Sequence, residues 1–237
     1  MRDPLRHFTA EFIGTFALVF VGSGALILAA NPGSHMGLLD VAIAHGLILS
    51  IMVTATMRIS GHLNPAVTFG FLVTKRIEPV MAGLYIVAQL LGAILAAYLL
   101  KWLFPPAMFD AARGGSLSIA LSISSGQAYL LEGIATFFLV FAVFGTAVDP
   151  RAPNVGGFAI GLTIAADILA IGPLTGASMN PARSFGPAVV TGFFEGQVIY
   201  WVGPIVGGIL AALIYEWLLI HHPTEPEYHG AAAPVRK

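Results

Sequence analysis

Six stretches of about twenty apolar residues, at about 8–30, 39–59, 80–104, 127–148, 155–172 and 197–220, decide what this chain can fold into. A helix rises 1.5 Å per residue, so about twenty residues cross a hydrocarbon core roughly 30 Å thick. Lipid offers no partner to a bare N–H or C=O, so such segments cross it as helices with internally closed backbone bonds. Composition agrees. Charged residues make up 10% of the 237 and the mean hydropathy is +0.85, whereas a soluble domain carries about 25% charged residues. The net charge of −1 supplies no basic field for nucleic acid. The absence of cysteine excludes disulfides and thiolate metal sites.

The first apolar run follows Arg2 and Arg6 and ends in Leu28-Ala29-Ala30, in the manner of a secretory signal. It is longer than a typical signal core, contains Glu11 and has a counterpart in mid-chain, so we expect a retained first span. Two further apolar stretches, about 65–74 and 181–191, reach only about halfway across a bilayer. Each opens with the same tripeptide, Asn64-Pro65-Ala66 and Asn180-Pro181-Ala182.

The two halves repeat. Residues 10–20 (AEFIGTFALVF) match residues 131–141 (LEGIATFFLVF) at seven of eleven positions. Residues 85–103 match residues 200–218 at nine of nineteen, and the tripeptides lie 116 residues apart. Each half holds three full spans, an odd number, so the second half enters from the opposite side as an inverted repeat. A conducting or binding site is expected near the midplane, where the broken helices meet. The expected fold class is therefore an all-α membrane protein with six transmembrane helices and two re-entrant half-helices. Its single channel domain spans 1–222, with repeats at about 8–104 and 127–220, and a polar, Pro-rich tail at 223–237 is expected to be disordered.

Basic residues set the orientation. With the N-terminus inside, Arg2, Arg6, Arg58, Lys75, Arg76, Arg151, Arg236 and Lys237 lie on the cytoplasmic side, and Lys101, Arg113 and Arg183 on the other. Both termini are thus expected in the cytoplasm, with the chain in the cell membrane. Ala88-xxx-Gly92 and Gly203-xxx-Gly207 occupy matched repeat positions, where small residues let helix backbones approach closely.

One Asn-Pro-Ala alone reads as a helix start, since Asn caps well and Pro fits the first turn. Two copies, each opening a short apolar segment in its own half of a duplicate, carry far more. Here the chain resembles the aquaporin family, also called the major intrinsic proteins, over nearly its whole length from Glu11 to Trp217. The resemblance implies a passive pore for water and small neutral solutes, a homotetramer in the lipid bilayer, and no enzymatic activity or cofactor. Asn64 and Asn180 would donate to a passing water at the point where both half-helix dipoles aim. A water held by two donors turns its hydrogens away from the centre and relays no proton there. Carbonyls of Gly61, His62, Gly176, Ala177 and Ser178 would replace part of its hydration shell. Glu11 and Glu132, matched carboxylates at membrane depth, would accept hydrogen bonds from the re-entrant loops.

The resemblance also implies a filter of four residues. Arg183 follows the second motif directly, and Ala177 lies three residues before Asn180. His45, in Ala-His-Gly-Leu, is similar to the tonoplast-type plant members. Ile168, in Asp167-Ile168-Leu169-Ala170, takes the fourth position because the ungapped match runs on through Ser178-Met179-Asn180; a gapped one would place Asp167 there. Such a filter lacks the aromatic ring and second histidine of strict water channels. Ammonia, then urea or hydrogen peroxide, joins water as expected cargo. Glycerol ranks lower, because Ser184 follows Arg183 where glycerol facilitators carry Asp. The chain departs from the family once: Ser60-Gly61-His62 is one residue shorter than the usual Ser-Gly-x-His, which predicts a tighter first loop. A coupled transporter would need a titratable group at the midplane, which offers only Asn. An enzyme would need a partner for His62, the one histidine beside a motif, and no carboxylate or metal-ligand spacing provides one.

Overall fold

The computed structural model describes residues 3–153 and 155–220, so the tail expected at 223–237 lies outside the described residues. Among the described residues all regular structure is helical, and six helices are long and apolar enough to cross a membrane. The first half contains α1 (Pro4–Ala29), α2 (Leu38–Thr56), the short α3 (Pro65–Val73) and α4 (Pro79–Leu103). A connection with α5 (Pro106–Ala111) follows. The second half contains α6 (Ser125–Val143), α7 (Gly157–Thr175), the short α8 (Pro181–Thr191) and α9 (Gln197–Ile214).

Helix ends depart from the apolar runs for local reasons. Helix α1 starts at Pro4, ahead of its run, because Asp3 accepts from the amides of Leu5 and Arg6 and Pro4 fits the first turn. Helix α7 runs to Thr175, past the expected end at 172. Pro173 sits in its last turn, and Gly176, at φ 81°, ends it in the left-handed region. Helices α6 and α9 finish in single wide turns, Phe144–Val148 and Tyr215–Leu219. The short α5 lies in a segment without helical periodicity and was not expected.

Helix α1 lies on α4 and α6 on α9 within their own halves, while the short helices cross between the halves, α3 resting against α9 and α8 against α4. Each half-helix is therefore seated on a full helix of the opposite half. Glycines permit the close crossings. A Cβ on Gly92 would run into the Phe12 carbonyl of α1, and one on Gly207 into the Gly133 carbonyl of α6. The main apolar core gathers Leu63, Val67, Ile168, Ala177 and Met179 with residues of α2, α6 and α9, around the tips of both re-entrant loops.

On the side where α6 and α9 end, Arg151 grips Asp149 with Nε (3.1 Å) and Nη2 (2.9 Å) and donates to the Leu219 carbonyl (2.8 Å). Tyr215 also donates to Asp149 (3.3 Å). Hydrogen bonding from Arg151 holds the Asp149 carboxyl below the usual carboxylate range. Arg76, after α3, makes a two-point pair with Glu216 at 2.7 and 3.0 Å.

Candidate conducting site

Asn64 and Asn180 stand immediately ahead of α3 and α8 as their N-caps, in extended backbone, and each uses its side chain twice. The Asn64 Oδ1 accepts from Ala66 N (2.8 Å); the Asn180 Oδ1 accepts from Ala182 N (3.0 Å) and Arg183 N (3.3 Å). Each Nδ2 then crosses to the other loop. Asn64 donates to the Met179 carbonyl at 2.7 Å, and Asn180 to the Leu63 carbonyl at 2.9 Å. A primary amide nitrogen carries two hydrogens, so each Asn keeps one N–H beyond this crossed pair. The carbonyls are presented by strained backbone: Leu63 and Met179 both have φ 52°, a conformation that costs a non-glycine residue about 1–2 kcal/mol.

The carboxylates hold these turns. Glu11 accepts from His62 N (2.8 Å) and Leu63 N (2.7 Å). Glu132 accepts from Ser178 N (2.9 Å) and Met179 N (2.8 Å). Both carboxylates are fully buried, and charge-assisted bonds offset the large desolvation cost. The missing residue of the first loop is absorbed ahead of His62. Gly61, at φ 86°, makes the turn alone, where the second loop spends Gly176 and Ala177, at φ 81° and 49°. A Cβ on Gly61 would come within 2.9 Å of the Met57 Cα, so the shorter loop presses on the end of α2. The carbonyls of Gly61, His62, Gly176, Ala177 and Ser178 accept no hydrogen bond from another described residue.

The loops have supports that the sequence did not single out. Gln89 of α4 donates to Glu11 (2.6 Å) and to Thr68 (3.1 Å), and Thr68 meets His62 Nδ1 at 3.1 Å. In the second half Thr175 donates to Glu132 (2.7 Å), and Tyr200 donates to the Thr175 carbonyl (2.7 Å). A signal existed for two of these residues. Gln89 is the one polar amide in the apolar run of α4, and Tyr200 repeats Tyr85 at matched positions. His62 also faces Phe71 and Tyr85, with ring centres 4.2 and 5.0 Å away. It opens onto a cavity of about 530 Å³ bordered by Arg6, Arg58 and Arg76.

Of the four filter candidates, the structure joins two directly. The Arg183 Nε and Nη2 both point at His45 Nε2, at 3.2 and 3.1 Å. The opposite ring nitrogen, Nδ1, lies 2.8 Å from the Val41 carbonyl, one turn back in α2. A carbonyl only accepts, so Nδ1 carries the proton and Nε2 offers its lone pair to the guanidinium. The Arg183 Nη1 is buried with no partner among the described residues. Ile168 and Ala177 are buried in the apolar core beside Leu63 and Met179. Asp167, next to Ile168, is also buried, and its Oδ2 has no partner among the described residues. No cluster of three or more His, Cys, Asp or Glu side chains able to hold a metal occurs among the described residues.

Residues 2–215 match the family model described as Major intrinsic protein. The chain belongs to the major intrinsic protein family. A probable aquaporin TIP3-2 of Arabidopsis thaliana is 43% identical, over 98% of this chain and 91% of the relative. Aquaporin TIP4-4 of Zea mays is 44% identical, over 91% and 87%. The X-ray structure of the aquaglyceroporin from Plasmodium falciparum superposes with a TM-score of 0.80 at 25% identity, covering 91% of this chain and 97% of that one. As a major intrinsic protein the chain is an integral, multi-pass membrane protein and a passive channel for water and small solutes, not an enzyme. The TIP label stands for tonoplast intrinsic protein, an internal-membrane designation that lends no support to the expected cell-membrane location.

Proposed function

We propose that this channel conducts water past Asn64 and Asn180 and passes ammonia as well, through a filter formed by His45, Ile168, Ala177 and Arg183. The Arg183–His45 contact carries the solute preference. Two of the guanidinium's nitrogens point at one imidazole nitrogen, which draws the arginine toward α2. Ile168 and Ala177 then bound the aperture with an aliphatic and a methyl side chain where strict water channels narrow it. The remaining N–H of each Asn donates to a water at the midplane, and the two half-helix N-termini, about +0.5 charge each, oppose cations there. Gly61, His62, Gly176 and Ser178 supply carbonyls along the path, and Glu11 and Glu132 keep the loops in register. Ser184 after Arg183 favours ammonia-sized cargo over glycerol. The functional unit is a homotetramer with one pore per subunit and both termini in the cytoplasm.

Liposomes carrying the purified protein test the proposal. Stopped-flow shrinkage reads water flux, and a trapped pH dye reads ammonia entry. Both are expected above the lipid background, with no proton leak. Water flux without ammonia flux above background would sink the solute claim and leave the water channel standing.

A further inference from the structure

Helix α1 passes behind the filter, and Gly22 lies where it does so. A Cβ built on Gly22 would stand 2.5 Å from His45 Cδ2, 2.9 Å from Cε1 and nearer still to Nε2, below the 3.0 Å floor of real Cβ contacts. The imidazole therefore rests face-on against bare α1 backbone. Its other edge is tied by Nδ1 to the Val41 carbonyl, so the ring cannot swing away without losing that bond. Its free nitrogen is the one that receives Arg183. Three neighbours thus fix one ring: a carbonyl, a guanidinium and a missing side chain.

The geometry points to Gly22 as a specificity-determining positioning residue, which seats His45 against α1 and through it draws Arg183 off the pore. The inference rests on the proposed filter. Adding one methyl at Gly22 forces the imidazole forward by about half an ångström or more. The ring cannot retreat into α1, and its own helix limits its rotamers. Pushed off α1, the ring carries Nε2 out of line with Arg183, which spoils the two-nitrogen contact. The guanidinium, with Nη1 already lacking a partner among the described residues, turns to where water can satisfy it. A charged fork beside the column narrows the path for a larger solute more than for water.

The test is the ratio of ammonia to water permeability in liposomes for four proteins: the parent, Gly22→Ala, His45→Ala, and the double variant. Gly22→Ala is expected to lower the ratio at least about twofold, the lower end of the coupling between residues in contact. In the His45→Ala background the same change is expected to leave the ratio where His45→Ala alone puts it, because no ring remains to be met. Gly83→Ala, at an α4 position where an added Cβ meets nothing within 4 Å, serves as the control. An unchanged ratio in Gly22→Ala overturns the inference. An equal fall in both backgrounds overturns it too, since Gly22 would then serve only helix packing. If Gly22→Ala does not fold, a double variant that folds upholds the seat and one that fails to fold overturns it. A His45→Ala ratio identical to the parent's would instead remove the filter assignment itself.

Discussion

An asparagine side chain has one acceptor oxygen and two N–H donors, and Asn64 and Asn180 divide them in the same way. The oxygen caps the residue's own half-helix, one N–H ties the opposite loop, and one N–H is left over. Reading from the residues upward finds the cap from the Asn-Pro-Ala order alone. The crossed tie joins residues 115 and 117 positions apart and is legible only in three dimensions. The filter divides likewise. Arg183 and His45 stand out by local motif, but their hydrogen bond and the notch at Gly22 depend on how α1, α2 and α8 meet. At this scale His45→Phe replaces an acceptor by a bulkier ring without one. Arg183 then loses its anchor and the aperture shrinks. Ammonia flux is expected to fall more than water flux in the same stopped-flow assays, and an equal loss of both would argue against His45 facing the solute.

The loops and half-helices line the proposed path, and each loop hangs from one buried carboxylate. Glu132 holds the amides of Ser178 and Met179 and the hydroxyl of Thr175. Replacing it with Leu strands these buried donors, each worth about 1–3 kcal/mol when left without a partner. Glu132→Leu is therefore expected to lower the midpoint of thermal unfolding in detergent sharply. Glu132→Gln keeps one carbonyl oxygen and should fall between Leu and the parent. A Leu variant as stable as the parent would show that the loops are held by something else. Element existence was readable because the apolar runs and the paired motifs are strong signals. Element ends were less so. Hydropathy reports what enters lipid, whereas Asp3 and Pro4 extend α1 beyond its apolar run and α7 continues through Pro173 to Thr175. The Gln89–Thr68–His62 support is not legible in the sequence because nothing in a linear pattern brings α4 beside the first loop.

At the scale of the whole molecule the two halves are fastened at the centre by the crossed asparagine side chains and at one end by the Arg76–Glu216 pair. A further fastening, within the second half, joins Arg151, Asp149, Tyr215 and the Leu219 carbonyl, and so links the exits of α6 and α9. Its pH dependence has a definite sign. Folding depresses the Asp149 pKa, so its contribution is complete above the unfolded carboxylate value, about 3.9. It is lost as pH falls through the lower folded value. The stability gap between the parent and Asp149→Asn in detergent is expected to be full at pH 7 and to close below about pH 4. A gap that persists unchanged at pH 3 would mean the carboxylate's charge is not what matters there.

The central fastening has a different consequence. Because Asn64 holds the Met179 turn and Asn180 holds the Leu63 turn, neither loop can withdraw without releasing the other. The midpoint of the proposed pathway would then behave as a fixed bearing rather than a valve. On the proposed path any control over flow would then fall to the two mouths, the arginine-bordered hollow beneath His62 on one side and the His45–Arg183 contact on the other.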